Sequence, residues 1–271
     1  MFTSAAAQPP ETAPVAIYYG YPSLVNGARG DLSQAAAIFN QYQIVVLGDG
    51  LEFPSHADHT SVERLISRLS KTTIFGYVCI GSSQNLSAKE VQERVMAWRR
   101  TGAKGIFLDE AGRDFGVERS RLEQIIDFIH GQRLSVFVNA FDPDDVFADG
   151  SHLGSNDLYL IESFVVRMGE LDKSTLMNAR IKKAIRYRSL FKVGLVGVTT
   201  TNSGFMPSLY DEACRSARRV ELNGFGWGEP WFSSKSNTLS MASDCLTSSD
   251  PKAGRDPRVR EEQALVAGAS R

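Results

Sequence analysis

Histidine and cysteine are scarce here, with four and three among 271 residues. The cysteines, Cys79, Cys214 and Cys245, are odd in number and widely spaced. They give neither a disulfide framework nor a zinc-ligand pattern. Cys79 lies in an apolar run and reads as a core residue. His56 and His59, with Asp58 between them, have a spacing that puts both imidazoles on one helical face. No further ligand set accompanies them, so no metal is expected. Net charge is also lacking: 30 basic against 31 acidic residues leave a formal −1. Neither nucleic acid nor an anionic membrane is expected as a partner. No apolar run approaches the ~20 residues that span a bilayer. Residues 1–14 lack a basic start and an apolar stretch. They read as a flexible lead-in rather than a secretion signal, and the chain as it stands reads as cytoplasmic. A Gly-x-Gly-x-x-Gly turn is missing after every apolar run, which argues against a dinucleotide fold.

What is present is a strict alternation. Short apolar runs occupy residues 15–22, 43–50, 72–81, 106–108, 134–141, 158–166, 191–201 and 223–230. Between them lie segments with helical periodicity. Asp31 caps one, whose inward face is Leu32, Ala35, Ala36 and Phe39. Val62, Leu65, Ile66 and Leu69 stripe the next. Ser87 and Glu90 form a capping-box pattern ahead of Val91, Val95 and Trp98, and Gly102 stops that helix. Leu122, Ile125, Ile126 and Ile129 face inward on a fourth helix. Residues 143–148 are at most a short helix. Residues 174–190 and 207–222 carry two more, the first with a basic run, Arg180, Lys182, Lys183, Arg186 and Arg188, that reads as a solvated outer face. Eight strands alternating with helices imply a parallel sheet with helical crossovers, and the length suits a single (β/α)8 TIM barrel. We expect a lead-in at 1–14, the barrel at 15–232, and a largely unstructured tail at 233–271 with at most a short helix near 259–266.

In such a barrel the C-terminal strand ends form the site. Strand one brings Tyr18, Tyr19 and Tyr21 there; strand two, Asp49; strand three, Tyr77. Strand four contributes Asp109 and Glu110, strand five Asn139, strand six Glu162, and strand eight Trp227 and Glu229, with Trp231 just beyond. Carboxylates, aromatics and an amide are what a carbohydrate site needs. Sugar faces stack on aromatic rings, and glycosidic cleavage uses two carboxyl groups. Asp109 and Glu110 are adjacent, so a regular strand aims only one of them inward. Both reach the site only if the strand ends or bulges there. Glu162 sits in an apolar run, where burial raises a carboxyl pKa as a general acid requires. The competing reading is a salt bridge to Arg113 or Arg167. The Thr-Thr-Thr-Asn-Ser-Gly segment from Thr199 has the position of a barrel phosphate site but no nearby rim cation.

These motifs resemble the spherulation-specific family 4, or spherulin-4-like, proteins. Gly105-Ile106-Phe107-Leu108-Asp109-Glu110 resembles that family's Gly-Ile-Phe-hydrophobic-Asp-Glu. Tyr18-Tyr19-Gly20-Tyr21-Pro22, Gly76-Tyr77-Val78 and Leu160-Ile161-Glu162 are similar to its strand-one, strand-three and strand-six segments. Asp49 and Ala140-Phe141 stand where the family tends to have Asn-Pro and Pro-Gly. The resemblance implies a (β/α)8 glycoside hydrolase, of the layout shared with polygalactosaminidase-type barrels, acting on α-1,4-linked galactosamine or N-acetylgalactosamine polymers. It implies Glu110 and Glu162 as the catalytic pair with Asp109 in support, and no cofactor. The carbohydrate polymer is then the expected partner, and the family's frequent extracellular setting stands against a cytoplasmic one. Two other readings remain: a catalytically silent glycan-binding or scaffolding barrel, and a barrel enzyme for a phosphorylated small molecule.

Overall fold

A computed structural model describes residues 12–228, 236–240 and 245. The apolar runs become strands because their residues alternate between two buried environments. In chain order these are β1 (Ala13–Tyr18), β2 (Ile44–Leu47), β3 (Thr73–Cys79), β4 (Gly105–Asp109), β5 (Ser135–Asn139) and β6 (Leu158–Glu162). A two-stranded antiparallel hairpin, β7 (Val166–Arg167) and β8 (Glu170–Leu171), follows, and then come β9 (Gly194–Val198) and β10 (Gly224–Gly226). All but the hairpin pair in parallel and close into a barrel in the order β1-β10-β9-β6-β5-β4-β3-β2. The crossovers carry α1 (Leu32–Phe39), α2 (His59–Ile66), α3 (Ala88–Thr101), α4 (Arg119–Gly131), α5 (Pro143–Phe147), α6 (Thr175–Phe191) and α7 (Pro207–Arg219). This is the expected (β/α)8 barrel.

Every second strand residue fills the interior. Val15, Ile17, Val46, Phe75, Phe107, Phe137, Leu160, Val196 and Val198 form a core distinct from the layer between strands and helices. Three phenylalanines pack edge to face, Phe75 on Phe137 at 5.5 Å and Phe107 on Phe137 at 5.0 Å between centroids. The intervening residues face the helices, Ala16, Val45, Ile74, Ile106, Val136 and Ile161 among them. Gly76 is one of these outward positions. The Trp98 indole of α3 lies directly on it, where a Cβ would collide. Trp98 Nε1 then donates to Tyr77 O at 3.0 Å, locking α3 to β3.

The helix caps follow the local sequence. Asp31 accepts from the backbone of Ser33 and Gln34, and Ser87 with Glu90 closes a reciprocal capping box. Gly102 ends α3 in the left-handed conformation.

Three expectations change. The apolar run at 158–166 is not one strand: β6 stops at Glu162 because Ser163 and Val165 take positive φ of 56° and 49°. The chain then turns into the β7–β8 hairpin on the rim. Cys214 and Cys245 form a disulfide, with Cα atoms 5.7 Å apart. Tail residues 236–240 also pack. Asn237 Oδ1 accepts from Tyr21 N at 2.8 Å, and its carbonyl accepts from Asn26 N at 2.8 Å. Asn26 and Leu239 exchange two bonds, and Tyr42 OH donates to Ser240 O. Leu239 is buried in the helix layer. This extended strap lies across the β1–α1 side of the barrel. Glu229, Trp231 and residues 259–266 lie outside the described residues.

Candidate active site

The C-terminal ends of β4, β5 and β6 open into a cleft of about 410 Å³, within the usual range for ligand sites. Its floor is built by strand parity. Phe107, Phe137 and Leu160 point inward, so Asp109, Asn139 and Glu162, two residues on, point inward one layer higher. Neighbouring strands thus deliver an acid, an amide and an acid to one spot. Asn139 Nδ2 donates to Asp109 Oδ1 at 2.8 Å and to Glu162 Oε2 at 2.9 Å. Tyr77 OH donates to Asp109 Oδ2 at 2.9 Å.

Burial pushes the carboxyls of Asp109 and Glu162 above the usual range. The opposing influences differ. Asp109 is held down by donors from Asn139, Tyr77 and the Glu110 backbone. Glu162 has Asn139 alone as a side-chain donor, feels the Asp109 charge against it, and is eased by Arg180. Asp109 thus receives three donors and Glu162 one. Tyr19 lies against Tyr77 at 5.2 Å between ring centroids, and burial keeps its phenol protonated.

Glu110 is placed differently. The strand ends at Asp109, and Glu110 adopts φ 54°. Its carboxylate turns to the loop after β3, accepting from Ser83 N at 3.0 Å, from Ser83 Oγ, and from Cys79 Sγ at 3.4 Å. Gly81 makes room for this, since a Cβ there would strike Glu110. Glu110 lines the cleft, but its oxygens hold a loop in place. Beside it, burial raises the Cys79 thiol to about 11.

The other expected residues scatter. Tyr18 has the opposite parity to Tyr19: it faces the helix layer, with its ring 5.4 Å from Phe39 and its hydroxyl donating to Tyr21 O. Trp227 also faces outward, packed on Phe205 and near Tyr210. Both corrections have one cause: β1 and β10 carry inward-facing Val15, Ile17 and glycines, so Tyr18 and Trp227 alternate to the outside. Tyr21 and Asp49 sit around His56, away from the cleft lining, with the Tyr21 ring tilted against the imidazole at 5.1 Å between centroids and Asp49 4.0 Å from Nε2. Asp58 instead accepts from Ser23 N, and His59 Nδ1 bonds Leu51 O, so these groups serve the loop after β2. Among the described residues no group of three or more His, Cys, Asp or Glu is placed to hold a metal. The threonines after β9 are likewise committed: Thr199 Oγ1 accepts from Gly228 N, and Thr200 Oγ1 bonds Ser163 and Met168.

Arg180, expected on a solvated face, is 5% exposed and lines the cleft. The signal was in the spacing. Met177, Arg180, Ile181 and Ala184 share the buried stripe of α6. Neither Arg113 nor Arg167 bonds the Glu162 carboxylate; Arg113 pairs with Asp145. Phe115 and Phe141, both well exposed, stand on the cleft walls.

No protein-family model matches the sequence, and no curated protein does. Solved structures do match. The glycoside hydrolase domain of PelA from Pseudomonas aeruginosa aligns with a TM-score of 0.54 and 16% identity, over 84% of this chain and 99% of that one. A point variant of the same domain aligns at 0.54 and 15%. The YdjI aldolase of Escherichia coli K12 aligns at 0.50 and 14% identity, over 80% of this chain and 76% of that one. At such identities the likeness is one of architecture: this chain is a (β/α)8 barrel of the kind on which the PelA glycoside hydrolase domain is built.

Proposed function

We propose that the protein is a glycoside hydrolase with Asp109 and Glu162 as its catalytic pair. Its proposed substrate is an amino-sugar polysaccharide of α-1,4-galactosaminan type. The observation that carries this is the Asn139 amide bridging two buried carboxyl groups at the C-terminal rim. Glu162 would protonate the glycosidic oxygen as the bond to the leaving sugar breaks. Asp109 would attack the anomeric carbon and form a glycosyl ester. Glu162, now a carboxylate, would take a proton from water as the water displaces Asp109. The chemistry needs two carboxyls and water, and no cofactor is assigned.

The spherulin-4-like motif supports the hydrolase class, although it implies Glu110 rather than Asp109 beside Glu162, and the likeness to the PelA glycoside hydrolase domain supports the same class. Support for an amino sugar comes from charge. Asp109, Glu110, Asp114, Glu162 and Asp172 border the cleft against Arg167 and Arg180, a balance that favours ammonium groups on the ligand. Phe115 and Phe141 offer stacking faces on either side.

The test is release of reducing ends from a polysaccharide panel that includes acetylated and deacetylated α-1,4-galactosaminan, run beside Glu162→Gln. Cleavage by the wild type and none by the variant is expected. Retained binding to one polymer with no cleavage would make the protein a glycan-binding barrel instead.

A further inference from the structure

Arg180 is a buried cation whose bonding is incomplete. Its Nη1 donates to Glu162 O at 2.8 Å. Phe141 covers one face, with the ring centroid 4.6 Å from the guanidinium carbon. Nε and Nη2 are buried and make no hydrogen bond among the described residues. Elsewhere in the molecule shielded arginines are matched: Arg94 Nε meets Glu52 at 2.7 Å, and Arg119 Nε meets Glu123. Nearby acids are already engaged. Lys183 takes Asp142 and Asp144, Arg113 takes Asp145, and Asp172 accepts from Ser174 N. Tyr159 lies against the guanidinium, which eases the burial of its phenol, but it gives its proton to Ala140 O at 2.6 Å and lies beyond hydrogen-bond geometry from Nε and Nη2.

The two unused nitrogens share one edge of the guanidinium. That edge presents two parallel N–H groups, the fork that meets both oxygens of a carboxylate. Leaving it empty in buried surroundings is costly. The cost is greatest when Glu162 carries its catalytic proton and offers no charge of its own. A dianionic phosphate suits the site poorly, because Asp109, Glu110 and Asp114 stand in the same cleft. A planar monoanion fits.

We propose that Arg180 is the anchor of an anion-recognising subsite in this cleft, and that it takes the carboxylate of a hexuronate residue of the substrate. The inference rests on the carbohydrate reading above and changes its substrate from a pure galactosaminan to a mixed polymer. The polymer would carry an acidic sugar at the Arg180–Phe141 side, with amino sugars toward Glu110 and Asp114. Phe141, exposed on the wall, supplies the stacking face beside the fork.

The experiment is calorimetric titration of the whole chain with galacturonate, galactose and galactosamine, repeated on Arg180→Gln and Arg180→Lys. Galacturonate should bind the wild type about tenfold or more tighter than galactose, the size of effect expected from a charge-assisted fork. Arg180→Gln should erase that preference, and Arg180→Lys, which keeps charge but loses the fork, should restore only part of it. If the Gln variant does not fold, the wild-type ranking and the Lys variant still decide. Galactose binding as tightly as galacturonate, or a galacturonate affinity unchanged in Arg180→Gln, overturns the subsite and leaves the carbohydrate reading standing. Binding of none of the three, with no cleavage of any polysaccharide, removes both.

Discussion

Asp109 and Glu162 share a hydrogen-bond donor, the Asn139 amide nitrogen, 2.8 Å from one carboxyl oxygen and 2.9 Å from the other. Three successive strands converge on that nitrogen, and the catalytic proposal depends on it. Two carboxyls joined through one atom must lie close together in a place where both resist ionising.

The first prediction separates three acids that the sequence groups together. Asp109→Asn and Glu162→Gln should each lower kcat by roughly 10³-fold or more with the fold intact. Glu110→Gln should cost less than about tenfold, because Glu110 holds the Ser83 loop rather than meeting the other two. Initial rates and circular dichroism for the three variants check this. A Glu110→Gln loss equal to that of Glu162→Gln would return Glu110 to the catalytic pair, as the family resemblance implies.

Stereochemistry follows from the spacing. Retaining enzymes hold their carboxyls about 5–5.5 Å apart, inverting ones about 6.5–9.5 Å. Oxygens bridged by one nitrogen belong to the shorter class, so the product should keep the anomeric configuration of the substrate. Proton NMR of the first product formed, before mutarotation, reads this directly; an inverted anomer would mean that a water stands between the pair during turnover.

Stability should depend on pH through the same two residues. Burial raises both folded-state pKa values above those of the unfolded chain. Their favourable contribution is complete below the unfolded carboxyl range, about pH 4, and is lost as pH rises through the folded values. The double variant Asp109→Asn, Glu162→Gln, which cannot ionise there, should melt above the wild type at pH 8. The gain should read as a higher Tm that shrinks as pH falls and vanishes by about pH 4. A wild type that outlasts the double variant at pH 8 would show that the pair is stabilised as anions.

The barrel was legible in the sequence because each strand is a short apolar run between striped helices, and Asp109, Asn139 and Glu162 were legible as polar side chains at or within the later part of such runs. Less visible was which of two adjacent residues faces inward. Tyr18 and Tyr19 are chemically alike, and only the register of β1 against β2 puts Tyr19 inside. Phe164, Val165 and Val166 prolong the apolar pattern of β6, while the turn that ends it is held by Ser163 and Thr200, a tertiary contact. Arg180 was hidden by its neighbours: four more basic residues made a buried guanidinium look like part of a wet face.

The disulfide carries the last prediction. Cys214 on α7 and Cys245 in the tail are 31 residues apart, so the bond closes a loop that spans β10 and the strap at 236–240. In the chain-entropy account a loop of that size contributes about 3–4 kcal/mol. For a domain of this length that amounts to roughly 6–16 °C in Tm. Cys214→Ser with Cys245→Ser, or simple reduction, should lower Tm by that amount. Reduction should also loosen the strap first, since its remaining hold is a few hydrogen bonds to Tyr21, Asn26 and Tyr42 and the burial of Leu239. Hydrogen exchange at Asn26 and Leu239 amides, compared with Val136 in the barrel, would register that order. Such a bond persists in oxidising surroundings and is reduced in the cytosol. The barrel's fastening therefore favours an oxidising setting over a reducing one. An unchanged Tm on reduction would remove that argument and leave the strap to its hydrogen bonds.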